Sequence, residues 1–193
     1  MARRKSQERK LKPAILIFTE GITEKKYFEK LNQKYSTKIA IKVSETRKQG
    51  LDLVEEANKV LKNPKNPMLS KYKADFVYVI FDKDDLEESN LLKAAQKAED
   101  YQFKIGFSNE AIEVWLLSHF EIVNKKMSRE QLNQKLSKFL GGKYTKTDEK
   151  QLDKLVDLVD NALRNTTNMA EKIDFSKNPY TNLGSVVREI YGI

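Results

Sequence analysis

The sequence predicts an α/β protein: a mostly parallel four-stranded sheet flanked by helices, with a helical C-terminal portion. Three observations predict it. Two runs, Ala14 to Thr19 and Asp75 to Phe81, are apolar almost without interruption, which suits strands covered by helices on both faces. From Ala14 to Phe120 strand-like and helix-like spacing alternate four times, the pattern of right-handed β-α-β crossovers. Beyond Phe120 only helical spacing recurs.

The first run, AILIFT, is bounded by Pro13 and Gly21 and reads as a buried strand. From Ile22 to Tyr35, Tyr27, Phe28 and Leu31 recur at helical spacing opposite a lysine and glutamate face. Lys38 to Val43 alternates as a second strand. Leu51 to Leu61 is amphipathic, with Leu51, Val54, Ala57, Asn58 and Leu61 on one side. The prolines of PKNPML stop that helix. Asp75 to Phe81 is the third strand, Glu88 to Asp100 a helix, Phe103 to Phe107 the fourth strand, and Glu110 to Phe120 another helix. Ser128 to Leu140, Asp148 to about Ile173, and Leu183 to Ile190 complete the helical part. The expected organisation is a basic arm (1–13), an α/β core (14–120) and a helical portion packed on it (121–193).

With 193 residues the chain is long enough for one domain with a real core. It has no cysteine, which excludes disulfides, cysteine-zinc sites and thiol nucleophiles. No apolar run approaches the roughly 20 residues of a membrane span, and no apolar stretch follows MARRKSQERKLKP to make a signal peptide. A cytoplasmic protein with no membrane partner is expected. The net charge of +8 favours polyanions, whose counterions are released on binding. Part of it crowds into one arm (Arg3, Arg4, Lys5, Arg9, Lys10 and Lys12), which reads equally as a solvated tail or a phosphate-grasping one.

Ligands of open parallel sheets bind outside the carboxyl ends of the strands. There the sequence places Thr19-Glu20-Gly21, Asp82-Lys83-Asp84-Asp85 and Ser108-Asn109. If the first and third strands are neighbours, Glu20, Asp82 and Asp84 converge. Carboxylates a few ångströms apart repel, and a divalent cation relieves the repulsion. Asp85 is a further candidate ligand, or else a helix cap. Glu24 reads as an ordinary first-turn acid. In EAIEVWLLSHF the apolar residues run nearly all round, so Glu113 is a carboxylate in a buried helix and needs a cation or a structural partner. His119, the sole histidine, shares a stripe with Ile112, Trp115 and Leu116 and reads as a packed core residue rather than a catalytic one.

Taken together, ILIFTEGITEKKYF, VYVIFDKDD, IGFSNEAIEVWLLSHF, KYTK and NPYTNLGSVV, in that order, resemble the RloB-like family, associated with abortive infection and restriction-linked phage defence. The resemblance runs from about Ile15 to Ile190. It implies a Toprim-like fold, in which a glutamate ends the first strand and a DxD motif the third, as Glu20, Asp82 and Asp84 do here. It further implies Mg²⁺ (or Mn²⁺) at Glu20, Asp82, Asp84 and Asp85, and phosphodiester chemistry with Glu113 assisting. Lys25, Lys83 and Lys146 would hold the nucleic-acid backbone. An ATPase partner on a separate chain is implied as well, and a homo-oligomer is possible. The family's fourth motif usually runs Ser-Asn-Pro-x-Phe-Glu-x-Trp; Ser108, Asn109, Glu113 and Trp115 fit it, while Glu110 and Ile112 depart from it. Tyr144-x-Lys146 and Asn178-Pro179-x-Thr181 also match.

The expected function is a metal-dependent nuclease acting on RNA such as tRNA, or on DNA. The alternatives are a non-catalytic nucleic-acid-binding or regulatory subunit, and a haloacid-dehalogenase-type phosphotransferase. The last fits poorly: its aspartate motif sits on a first strand with a threonine two residues on, where this chain has Leu86. Gly141-Gly142-Lys143 imitates a phosphate-binding loop, but Ser137 stands where its first glycine belongs and Tyr144 follows the lysine.

Overall fold

The computed structural model describes residues 11–67, 69, 71–169 and 172–193. Most of the basic arm, including Arg3, Arg4, Lys5, Arg9 and Lys10, lies outside them. The elements are β1 (Lys12–Thr19), α1 (Ile22–Lys34), β2 (Ala40–Glu45), α2 (Gly50–Lys62), β3 (Tyr72–Asp82), α3 (Glu88–Asp100), β4 (Lys104–Asn109), α4 (Glu113–Leu117), α5 (Arg129–Leu140), α6 (Glu149–Asp157), α7 (Val159–Asn165), β5 (Tyr180–Thr181) and α8 (Leu183–Tyr191). The sheet order is β2-β1-β3-β4-β5. The first four strands are parallel and β5 is antiparallel.

Alternate residues of the central strands feed two cores, as the two-residue side-chain period requires. Ile15, Ile17, Tyr78 and Ile80 pack with Tyr27, Phe28 and Leu31 of α1, with Trp115 of α4, and with the C-terminal helices through Leu132, Leu136, Leu155 and Val187. Ala14, Leu16, Phe18, Val77, Val79 and Phe81 pack the other way, on Leu53, Val54 and Ala57 of α2 and Leu91, Ala94 and Ala98 of α3. Helices on both faces explain why β1 and β3 carry unbroken apolar runs. Burying each such side chain favours folding by about 1.5–3 kcal/mol.

Helices α1 and α2 flank opposite faces of the sheet, so the crossover direction reverses between β1 and β3. These strands are direct neighbours, with Thr19 opposite Ile80. The carboxyl ends of β1 and β3 therefore open at the switch point of the sheet, where such folds bind ligands.

Four sequence expectations change. A fifth strand joins β4: Ser108 pairs with Thr181 and Asn109 with Tyr180. At two residues it has no periodicity to read, and tertiary contacts make it. Asn182 Nδ2 donates to the Ile105 carbonyl (2.8 Å) and its Oδ1 accepts from the Phe107 amide (2.7 Å), while the Ser108 and Thr181 hydroxyls lie 3.1 Å apart. The helix expected over Glu110 to Phe120 is regular only over Glu113–Leu117, because the chain must first leave β4; the Asn109–Glu110 peptide is cis. The long helix expected from Asp148 breaks at Leu158 into α6 and α7, which lets Leu155 and Val159 both reach the core. Lys12 and Pro13, assigned to the arm, begin β1.

Helix α6 lies along α1 through a ladder of ion pairs. Lys26 meets Glu149 at 2.8 Å, Lys30 meets Glu149 and Asp153 at 2.8 Å each, and Lys34 meets Asp157 at 3.1 Å. Four-residue spacing on both helices sets the rungs in register. The Lys26 ammonium also donates to the Thr147 carbonyl (3.3 Å), which ties the loop before α6 to the same helix.

Candidate functional site

The strand ends hold their loops in place by continuing the ladder beyond the strands. The Glu20 amide donates to the Ile80 carbonyl (3.0 Å), and the Arg47 amide to the Glu20 carbonyl (3.1 Å). On the other side the Lys83 amide donates to the Ser108 carbonyl (2.8 Å) and the Asp84 amide to the Glu110 carbonyl (3.3 Å). Asp84 sits at φ 42°, a left-handed backbone that aspartate tolerates better than most residues. Asp82 and Asp84 are thereby fixed beside Glu20 rather than on a free turn.

Glu20 Oε2 accepts from the Asp82 amide (3.3 Å) and Oε1 accepts from Gln49 Nε2 (2.6 Å). Gln49 Nε2 also reaches Asp84 Oδ2 (3.4 Å), so one side chain from the loop before α2 bridges the two acids. Asp82 is buried, and its Oδ2 accepts from the Ile112 amide (2.9 Å). Glu24 is buried at the start of α1, where Oε2 accepts from the Gly21 amide (3.1 Å). Glu113, 2% exposed, opens α4; its Oε1 accepts from the Tyr144 hydroxyl (3.4 Å) and pairs with the Lys146 ammonium (3.5 Å). Arg129, the first residue of α5, forms an ion pair with Asp84 Oδ1.

The electrostatics are those of a crowded anionic site. Burial raises the Asp82 carboxyl well above the usual range, and Glu24, Glu20 and Glu113 push it further. Burial pushes Glu24 up to about 7, with Glu20 and Glu113 adding to the effect against its own backbone hydrogen bond. Glu20 and Asp84 are raised chiefly by burial, partly offset by Gln49 for the first and by Arg129 and Lys146 for the second. Lys146 is lowered by burial but raised overall by Glu113, Glu24 and Asp82. Five carboxylates (Glu20, Glu24, Asp82, Asp84 and Glu113) thus face two cations, Arg129 and Lys146.

All the donors are carboxylate oxygens, and two cations relieve their repulsion only in part, so they fit a hard divalent cation. Among the described residues, no three His, Asp or Glu side chains already stand as a ligand set. Their oxygens are engaged by Gln49, the Ile112 amide, Arg129 and Tyr144, and an ion would take the place of some of these partners.

The structure brings Glu20, Asp82, Asp84, Glu113 and Lys146 to this cluster. The other sequence candidates have different surroundings. Asp85 is exposed and acts on the cluster only through its charge, which raises Asp84; Glu87 holds the N-cap position of α3, without a side-chain hydrogen bond. Lys25 pairs with Glu29 one turn on (4.0 Å), and the Lys83 ammonium donates to the Leu86 carbonyl, so each is engaged within its own turn. His119 is fully buried behind the site, between Tyr27 and Trp115. Asn178-Pro179-x-Thr181 braces the end of β4: Asn178 Nδ2 reaches Asn109 Oδ1 (3.1 Å) and Glu110 Oε2 (3.3 Å).

Sequence reasoning missed Gln49 and Arg129, singled out Tyr144 without a role, and undervalued Glu24. Glu24 left a local signal: it stands three residues after Gly21, the spacing at which a glutamate caps the amide of the residue before a helix. A cleft of about 520 Å³ lined by Glu20, Gly21, Glu45, Arg47, Lys48, Gln49, Asp52, Leu86 and Asn90 opens beside the acids.

No curated protein and no solved structure matches the chain. Residues 15–190, which span every acid of the cluster and both of its cations, match the profile of RloB-like proteins. On that match, which covers most of its length, the chain belongs to the RloB-like protein family.

Proposed function

We propose that this protein is a metal-dependent phosphodiesterase that cuts nucleic acid, RNA such as tRNA or else DNA, as the effector of an abortive-infection phage-defence system. The observation that carries this reading is the set of mutually repelling carboxylates outside the carboxyl ends of β1 and β3: half-buried Glu20, buried Asp82, and buried Glu24 and Glu113 at the starts of α1 and α4. A protein keeps such charge uncompensated where a ligand is to supply the compensation.

Glu20, Asp82 and Asp84 would hold Mg²⁺ or Mn²⁺, which supplies charge stabilisation and a nucleophilic water at neutral pH when bound. Gln49 spaces Glu20 from Asp84, and the Ile112 amide orients Asp82. Glu113, steadied by Tyr144 and Lys146, serves as an outer ligand or proton acceptor. The Lys146 side chain is 60% exposed and offers its charge to a phosphate. The ion pair between Arg129 and Asp84 fits an enzyme that is quiet until a partner acts, and an ATPase on a separate chain is the proposed trigger.

The test is cleavage of total tRNA, plasmid and single-stranded DNA with Mg²⁺, Mn²⁺ or EDTA, beside an Asp82→Asn/Asp84→Asn variant. Asparagine keeps an acceptor for the Ile112 amide. Metal-dependent cutting should fall at least about 100-fold in the variant, equivalent to about 2.7 kcal/mol of barrier. Equal cutting by both proteins overturns the assignment of the site. Absence of cutting, with calorimetric Mn²⁺ binding present in the wild type and lost in the variant, instead favours a metal-holding regulatory subunit or an enzyme awaiting its partner.

A further inference from the structure

Arg129 carries a hydrogen-bonding deficit that its ion pair does not meet. Its Nη2 lies against Asp84 Oδ1 as a charge contact without hydrogen-bond geometry, and both Nε and Nη2 are shielded from solvent with no acceptor. The rest of the side chain is open, at 41% exposure, and Asp84 is 20% exposed. Nε and Nη2 form the side edge of a guanidinium, whose two parallel N–H groups match a pair of oxygens on one phosphate. Leaving buried donors unsatisfied is costly, so a protein that keeps them so beside an acidic centre has a site for an oxyanion. Arg129 also acts electrostatically on Glu20, which puts that edge within the field of the acids.

We propose that Arg129 is a phosphate-binding residue: its Nε/Nη2 edge takes two oxygens of a substrate phosphate when Asp84 turns away. This rests on the reading of the protein as a nucleic-acid phosphodiesterase, and it adds a residue from the C-terminal helices to the substrate contacts. Asp84 and the phosphate compete for one guanidinium. An ion that draws Asp84 to itself therefore readies Arg129 for substrate, and without the ion Asp84 occupies the place of the phosphate.

The experiment measures binding in EDTA, where no metal-dependent turnover occurs, with two probes: inorganic pyrophosphate by calorimetry, and fluorescent tRNA by anisotropy from about 50 to 300 mM salt. Because Asp84 covers the Arg129 edge in the metal-free wild type, the comparison is made in the Asp84→Asn background, where adding Arg129→Gln should weaken both probes roughly 10–100-fold and lower the tRNA salt slope by about 0.7–0.9. Arg129→Lys should keep the slope but not the affinity, because an ammonium does not present two parallel donors. Asp84→Asn should bind both probes more tightly than the wild type, a gain that misfolding does not produce. Pyrophosphate that binds Asp84→Asn and is lost in Asp84→Asn/Arg129→Gln, with no tRNA binding, keeps the phosphate site and refutes the nucleic-acid reading. Equal binding of both probes to wild type, Asp84→Asn and Asp84→Asn/Arg129→Gln, or no pyrophosphate binding to Asp84→Asn, overturns the proposal and leaves Arg129 a structural partner of Asp84.

Discussion

Removing the hydroxyl of Tyr27 tests the account of the buried histidine behind the site. His119 Nδ1 lies 3.0 and 3.1 Å from the carbonyls of Trp115 and Leu116. Carbonyls only accept, so the proton sits on Nδ1, and Nε2 accepts from the Tyr27 hydroxyl at 2.8 Å. Both ring nitrogens are satisfied in the neutral form, and burial lowers the imidazole from 6.5 to about 4 against the small upward pull of the two carbonyls. Tyr27→Phe leaves the ring volume in place and strands Nε2 where water does not reach. The cost is about 1–3 kcal/mol, and at about 2–4 °C per kcal/mol for a chain of this size the melting temperature should drop by roughly 4–8 °C for a 2 kcal/mol loss. The pH dependence has a definite sign. The folded imidazole titrates below the unfolded one, so its contribution is complete above about 6.5 and is lost as pH falls toward 4. The whole window is worth about 3 kcal/mol. Because the chain has one histidine, a single imidazole Cε1–H resonance reports it by NMR. That resonance should stay fixed down to about pH 5. A midpoint near 6.5, or a Tyr27→Phe protein that melts with the wild type, would refute the hydrogen-bond assignment.

Two further outcomes follow from the same reasoning. In metal-free protein Glu24 works in the opposite sense to His119: its folded carboxyl is raised from 4.5 to about 7, so stability is lost as pH rises through that window, by about 3 kcal/mol. Glu24→Gln should therefore raise the melting temperature at pH 8 and change it little at pH 5; equal effects at both pH values would show that only the cap on Gly21 was lost. Gly50 sits at φ +48°, and a Cβ there would collide with Asn90 Oδ1, which accepts from the Leu51 amide (3.1 Å). Gly50→Ala should cost about 1–3 kcal/mol in urea unfolding and displace Gln49; a change below about 0.5 kcal/mol would mean that the turn relaxes freely.

Strands β1 and β3 were legible because their central parts are covered on both faces, and burial there leaves an unbroken apolar run in AILIFT and VYVIF. Glu20, Asp82 and Asp84 were legible for a related reason: a carboxylate directly after such a run has few places to go except the carboxyl edge of the sheet. What the sequence hid was assembled from a distance. Gln49 reaches Glu20 from a loop 29 residues on, and Arg129 reaches Asp84 from the first turn of α5; neither follows a local pattern that distinguishes it from a solvated side chain. Strand β5 is made by Asn182 and Thr181 bonding to β4 rather than by any propensity of Tyr180–Thr181. The break at Leu158 has no glycine or proline to announce it.

The ladder joining Lys26, Lys30 and Lys34 to Glu149, Asp153 and Asp157 has a consequence for how the protein comes into being. Its rungs close loops of about 120 residues (123 for Lys26–Glu149). They anchor α6, and with it the loop that carries Tyr144 and Lys146 to Glu113. A chain emerging from the ribosome would expose Glu20, Glu24 and Asp82 long before either cation existed to meet them. The acidic centre is complete only after α6 has been made, so a translation product interrupted before it carries the acids of the site without the residues that neutralise and orient them.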